Sequence, residues 1–539
     1  MLAVATPDAD LEGTLRDWRR FRRQKRTADI HWIDALYQAY TTAIVGLVIV
    51  VFLTGSVGDK RLSASETAGL LASGPGWLGG LAAFAIALGL RSGSRGGPLA
   101  LERTEVRHVL LAPVDRTTAL RAPAIRQLRF LSFVGIVVGA IAGNLAVNRL
   151  DGGRGAWIAT GALAGLVLIA LCVGTALLAG GTRMPRWIAS LVGVVLIGMA
   201  LADGTGLIGF SATSTFGDLV LWPLRMNLVG LLPIVVAALA LVVGMRLLGG
   251  LSLEAAERRS TLVGQLRFAA TLQDVRTVIV LRRQLAMELP RLRPWVRLKV
   301  NGTGRWPVFV RGLRGLMRWP AARVARLVLL AGVIGLCLRG MWSGTTPLVV
   351  VAGMALFIAG LDSVEPLAQE VDHPSRRDST PLEPAEIHLR HVPVAVLTQL
   401  AVAAIALAVA MVPGRAQVPL GAGAVAFLPL ALGGLGGALV SVLSSAPSVG
   451  GNWSLAPPEA QGLRLAFRTV WPPAIAMLGV TPVIFAQRAQ EQGLAPIEGG
   501  ARIVPLVILV FGLVCGWVRV RDEIGTWWRA QMEVANAKP

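Results

Sequence analysis

The stretch AWIATGALAGLVLIALCVGTALLAG, from Ala156 to Gly180, contains no charged side chain. A helix needs roughly 20 mostly apolar residues to cross the hydrocarbon core of a bilayer, so this run reads as a membrane-spanning helix. Working outward, similar runs lie near 35–54, 76–92, 129–148, 187–203, 227–248, 323–341, 346–362, 392–412, 419–443, 468–487 and 503–520. The second, fifth and eighth are short, and Trp471-Pro472-Pro473 with Pro482 predicts a bend in the eleventh. The expected fold class is an all-α polytopic membrane protein with about 12 transmembrane helices.

Composition agrees. The 539 residues are 54% hydrophobic and only 15% charged, where soluble domains carry about 25% charge. That balance excludes disordered, collagen-like and disulfide-rich secreted chains. Cys172, Cys337 and Cys515 all fall inside apolar runs, so they read as small buried residues rather than a disulfide or metal framework.

The net charge of +21 is almost all arginine, since lysine occurs only as Lys25, Lys60, Lys299 and Lys538. Its distribution sets the expected orientation. Arg16, Arg19, Arg20, Arg22, Arg23, Lys25 and Arg26 precede the first run, and Arg91 through Arg126 follow the second. Segment 249–322 and the C-terminal Arg519, Arg521 and Arg529 continue the pattern. The loops on the other side nearly cancel: Asp59, Lys60, Arg61 and Glu66, then Arg488, Glu491, Glu498 and Arg502. Both termini are therefore expected to be cytoplasmic. No apolar core begins before about residue 36, so no secretory signal peptide is expected.

Two features recur in the two halves. Thr14-Leu15-Arg16-Asp17-Trp18-Arg19 parallels Thr271-Leu272-Gln273-Asp274-Val275-Arg276, and Arg-Arg-Gln follows each. Pro98-Leu99-Ala100-Leu101-Glu102 parallels Pro366-Leu367-Ala368-Gln369-Glu370; without a gap, Pro113-Val114-Asp115 then falls on Pro381-Leu382-Glu383. The order predicts a 6+6 tandem repeat, with parallel modules related by an axis along the membrane normal. The expected domains are 1–250, a first six-helix module; 251–322, a basic cytoplasmic connecting segment; and 323–539, a second six-helix module. Leu15, Trp18, Arg19 and Arg22, and likewise Leu272, Val275 and Arg276, sit at helical spacing. They predict interfacial helices with arginines on lipid phosphate.

Catalytic signatures are missing. Nothing matches a Walker-type phosphate loop, H-E-x-x-H, G-x-S-x-G or C-x-x-C. His388 and His391, near Asp372, His373 and Glu386, could ligate a metal, but a solvated loop is the favoured expectation. Asp203, Asp218, Arg246, Arg339 and Asp362 fall at span ends or in loops, so no acidic residue marks a midplane proton path. Gly135, Gly139 and Gly143 predict a small-residue face for close helix packing. The apolar stretch 204–226 is expected to dip back into the membrane. Chemistry concentrates in the loops 91–128 and 362–391, where short helical stretches suit docking of a separate cytoplasmic protein.

On these residues the chain resembles the ABC-2-type exporter permeases. The run Gly97-Pro98-Leu99 through Leu110-Leu111-Ala112-Pro113-Val114-Asp115-Arg116 is similar to the cytoplasmic loop of their bacterial members, and Glu365-Pro366-Leu367 to Pro381-Leu382 resembles it again. The resemblance implies a non-enzymatic permease subunit in a bacterial plasma membrane. It implies no cofactor in this chain, with ATP and Mg in a separate ABC ATPase subunit. The expected cargo is hydrophobic or amphipathic, and the chain would dimerise if its halves do not pair with each other. The implied ATPase-docking positions are Pro98, Leu99, Glu102, Arg107, Pro113, Asp115, Arg116, Pro366, Leu367, Glu370, Pro381 and Glu383. Other partners are the lipid bilayer and no nucleic acid. A 12-span secondary transporter and a non-transporting membrane scaffold are the competing expectations.

Overall fold

The computed structural model describes residues 61–97, 115–252, 292–297, 307–372, 382–412, 417–444 and 458–536, with a few single positions between them. Among the described residues every regular element is helical. Among the described residues, ten helices are long and apolar enough to cross a membrane, or eleven if one bent pair counts as a span. The chain is thus a multi-pass membrane protein. The run at 35–54 lies outside the described residues apart from Tyr40. The chain divides into two compact units, Met1–Gln273 and Asp274–Pro539.

The first unit contains α1 (Ala64–Gly93), α2 (Arg116–Ala146), α3 (Arg154–Gly181), α4 (Arg186–Gly204), α5 (Ser214–Val220) and α6 (Leu232–Arg246). Helix α1 is longer than the run at 76–92, because a capping box starts it early. The Ser63 backbone N–H donates to Glu66 Oε2 at 2.8 Å, while Ser63 Oγ accepts from the Glu66 N–H. Helix α2 likewise begins well before 129, at an Asp115 N-cap, so Arg116, Arg121, Arg126 and Arg129 ride its exposed first turns instead of lying in a loop.

Helix α3 is the hub, packing on α1, α2 and α6. Half of its apolar window is buried within the structure, against 11% for α2. The α2–α3 seam bears out the glycine face. A methyl group on Gly135 would sit 2.7 Å from the Gly165 carbonyl oxygen; Gly139 meets Gly161, and Gly143 meets Trp157, even more closely. Lipid is as apolar as these side chains, so such a seam gains from close van der Waals contact rather than from expelling water. The far side of α2 shows Phe130, Phe133 and Val138 outward, a surface suited to acyl chains.

Within the stretch 204–226, α5 packs against the helices of the first unit. Phe216 and Leu219 of α5 are buried against Ala82 of α1 and Ala164 and Val167 of α3.

The second unit contains α7 (Pro307–Leu316), α8 (Ala321–Trp342), α9 (Leu348–Ser363), α10 (Glu365–Asp372), α11 (Pro384–Ala410), α12 (Leu420–Ser444), α13 (Pro458–Glu491), α14 (Pro496–Ala501) and α15 (Val504–Asn536). Helix α12 is its hub, with 72% of its window buried against α9, α11, α13 and α15. Gly433 faces the Gly479 backbone of α13 at 2.6 Å from an added methyl. Helix α13 runs through Pro472, Pro473 and Pro482, all three buried in protein. A break between two helices lies at Val364, where α9 and α10 meet at 61°. Helix α15 runs well past 520 and carries Arg521 and Arg529 with it.

Candidate functional site

Consecutive spanning helices run in opposite directions, so the start of α8, the end of α9 and the start of α11 fall at one end of the second unit. The acids that close α9 and form α10 there face arginines supplied by α7 and α8. Arg326 grips Asp362 with two hydrogen bonds, Nε to Oδ2 at 2.7 Å and Nη2 to Oδ1 at 2.8 Å. Arg323 pairs with Glu365 at 3.5 Å and stacks over Trp319, 4.8 Å from the ring centre. Arg311 of α7 donates to Glu370 of α10, and His391 of α11 lies 4.0 Å from the same carboxylate. Deeper in, Gln399 Nε2 donates to Ser363 Oγ at 3.1 Å, which itself donates to the Ala359 carbonyl.

This arrangement is a brace. The Glu370 carboxylate is only 5% exposed, whereas Arg311 is 51% exposed, so the pair ties an outer helix to a buried acid. Helix α7 is amphipathic: Gly312 lets it settle against Val394 of α11, while Arg311 and Arg314 stay outward. Each charge-assisted, bidentate or buried bond here is of the stronger kind. Losing one partner of a buried pair costs about 3 kcal/mol.

The expected solvated loop around His388 and His391 is a correction. Helix α11 starts at Pro384, a turn and more before 392, and both imidazoles are buried on its inner face at 6% and 4% exposure. Proline at the first helical position supports that early start. Among the described residues, no three His, Cys, Asp or Glu side chains are placed to share a metal ion.

The implied docking positions separate into three groups. Pro98, Glu102, Arg107, Pro113 and Pro381 lie outside the described residues, as do Leu15, Trp18, Arg19, Arg22, Leu272, Val275 and Arg276. Leu99, Leu367 and Glu370 turn inward: Leu99 packs with Leu120 and Leu177, and Leu367 with Ala395 and Leu439. Buried side chains offer no face to a partner, so these three act in this structure as packing and bracing residues. Asp115, Arg116 and Glu383 are exposed, with Pro366 half-buried.

The repeat gains a physical meaning here. Asp115 is the N-cap of α2 and Glu383 the N-cap of α11. Asp115 Oδ2 accepts from the Thr118 backbone at 2.9 Å and from its hydroxyl at 3.1 Å. The backbone N–H of Thr118 is the main reason its carboxyl is held below the usual carboxylate range. Glu383 makes no such side-chain cap.

Arg311, Arg326, Asp362 and Gln399 were not among the expected site positions. A signal was available: Asp362, Glu365 and Glu370 are the first acids after a long acid-free run from Leu289 to Leu361. No protein-family model, curated protein or solved structure matches the chain.

Proposed function

We propose that the chain is the permease subunit of an ABC-2-type exporter in a bacterial plasma membrane. In this reading it consists of two six-span modules with cytoplasmic termini, and it moves a hydrophobic or amphipathic substrate using a separate ATPase. The observation that carries the reading is the matched connection between the second and third spans of each unit. In both, a leucine of the connection is buried (Leu99, Leu367), and the third helix opens at an acid of the ungapped repeat (Asp115, Glu383). A connection anchored among the helices through a buried leucine can pass a push from a nucleotide-driven partner into them. Support also comes from the fourth span of each unit, α3 and α12, which is the most buried of that unit's described spans.

Copurification from the native host tests the proposal. The expected result is an associated ATPase, no ATP hydrolysis by this chain alone, and loss of the partner on changing exposed Arg116→Glu with Glu383→Lys. Transport by the isolated chain in proteoliposomes, driven by a proton or sodium gradient, would instead establish a secondary transporter.

A further inference from the structure

We infer that residues 292–297, with the turn 317–319 before α8, form a binding surface for anionic phospholipid headgroups. The turn holds the segment in place: the Trp295 N–H donates to the Met317 carbonyl and Trp295 Nε1 to the Trp319 carbonyl, both at 2.8 Å. A segment pinned this way nonetheless presents its apolar side chains outward, with Leu292 98% and Val296 57% exposed. Water would not favour that arrangement. The acyl boundary of a bilayer would, and the site abuts the first turn of α8, a candidate span.

Charge identifies the lipid. Arg293, Arg297 and Arg318 are exposed and have no carboxylate partner among the described residues. They differ in this from Arg311, Arg323 and Arg326, whose acids come from α9 and α10. Guanidinium groups fit phosphate oxygens two at a time, and tryptophan favours the headgroup level. Apolar anchors, a tryptophan and arginines at a helix entrance together match an anionic headgroup above its acyl chains. An acidic soluble protein would satisfy the arginines but leave Leu292 and Val296 uncovered. The inference holds whether or not the chain works with an ATPase, and it gives the last part of the basic segment 249–322 a role.

The test uses the full chain in nanodiscs of phosphatidylcholine, alone or with phosphatidylglycerol, reading hydrogen exchange at 292–297. Exchange should slow in the anionic discs, and the effect should weaken about five-fold for each arginine replaced in Arg293→Gln, Arg297→Gln and Arg318→Gln. High salt should weaken it in the unaltered chain, which covers the case of a variant that does not fold. Unchanged exchange across α8 marks an intact fold. Inorganic phosphate added to phosphatidylcholine discs should not substitute; equal slowing by phosphate would reassign the surface to free anions and overturn the inference. Equal exchange in both lipids, or slowing that survives high salt, would overturn it as well.

Discussion

The α2–α3 seam permits the sharpest test of the packing. Gly139→Ala places a methyl against the Gly161 carbonyl oxygen, and Gly161→Ala places one against that of Gly139. Each methyl falls about 1 Å inside ordinary van der Waals contact. The obstacle is helical backbone, not the end of a flexible side chain, so the helices must separate. A gap of 0.5–1 Å forfeits roughly a quarter to a half of each pair's attraction along the seam. Overpacking of this kind costs about 1–3 kcal/mol, partly offset by about 1 kcal/mol of helix propensity gained on replacing glycine. Gly198 in α4 is the control, because a methyl there meets no atom within 4 Å. Gly198→Ala should be neutral or stabilise by up to about 1 kcal/mol. Reversible unfolding in mixed micelles, followed by circular dichroism, reads the differences. The double variant should cost less than the sum of the two singles, since one separation relieves both methyls. Gly139→Ala and Gly161→Ala behaving like Gly198→Ala would refute the reasoning.

Three further outcomes follow from the polar contacts. Arg311→Ala removes a guanidinium from the buried Glu370 carboxylate, leaving His391 4.0 Å away, and should destabilise the second unit by up to about 3 kcal/mol, whereas Glu370→Gln leaves a half-exposed guanidinium and should cost about 1 kcal/mol; a reversed order in thermal unfolding refutes the brace. Asp115→Ala should cost about 1 kcal/mol and Asp115→Asn almost nothing, because both Asp and Asn cap well. The folded carboxyl of Asp115 is held below its ordinary value, so the part of its contribution that depends on ionisation is present above about pH 4 and is lost as pH falls through the lowered value. A midpoint difference between the unaltered chain and Asp115→Ala that does not shrink at all at lower pH contradicts that assignment. Arg326→Lys keeps the charge but gives up the two-bond grip on Asp362, and should lower the unfolding midpoint by the equivalent of about 1 kcal/mol.

Much of the fold is legible because the bilayer imposes it. A backbone in hydrocarbon must satisfy its own hydrogen bonds, so a run such as Ala156–Gly180 has one available conformation, and α3 adopts it. The spacing of Gly135, Gly139 and Gly143 identified a packing face for a similarly direct reason. Helix ends were less legible where polar residues extend an apolar run. Ser63 with Glu66, Asp115, and Pro384 at the first turn of α11 are start signals of about 1 kcal/mol each. They lie outside the apolar runs, so the runs alone place them in loops. The histidines of α11 follow the same rule: the helix begins eight residues before 392, at Pro384, and carries His388 and His391 into the core.

The sequence by itself determined the class of the protein: a chain of apolar helices, arginine-rich on one set of connections, with glycine where two helices touch. Period, length and charge are local properties, and the membrane acts on each run separately. Tertiary structure decided which partner each charge finds. Arg311 and Glu370 are 59 positions apart, and Arg326 and Asp362 are 36 apart; nothing in the local pattern of either residue names the other. Only antiparallel packing of α8, α9 and α11, with the 61° break at Val364, brings acids and arginines to one end. The same packing turns Glu370 inward and leaves Arg293, Arg297 and Arg318 facing outward.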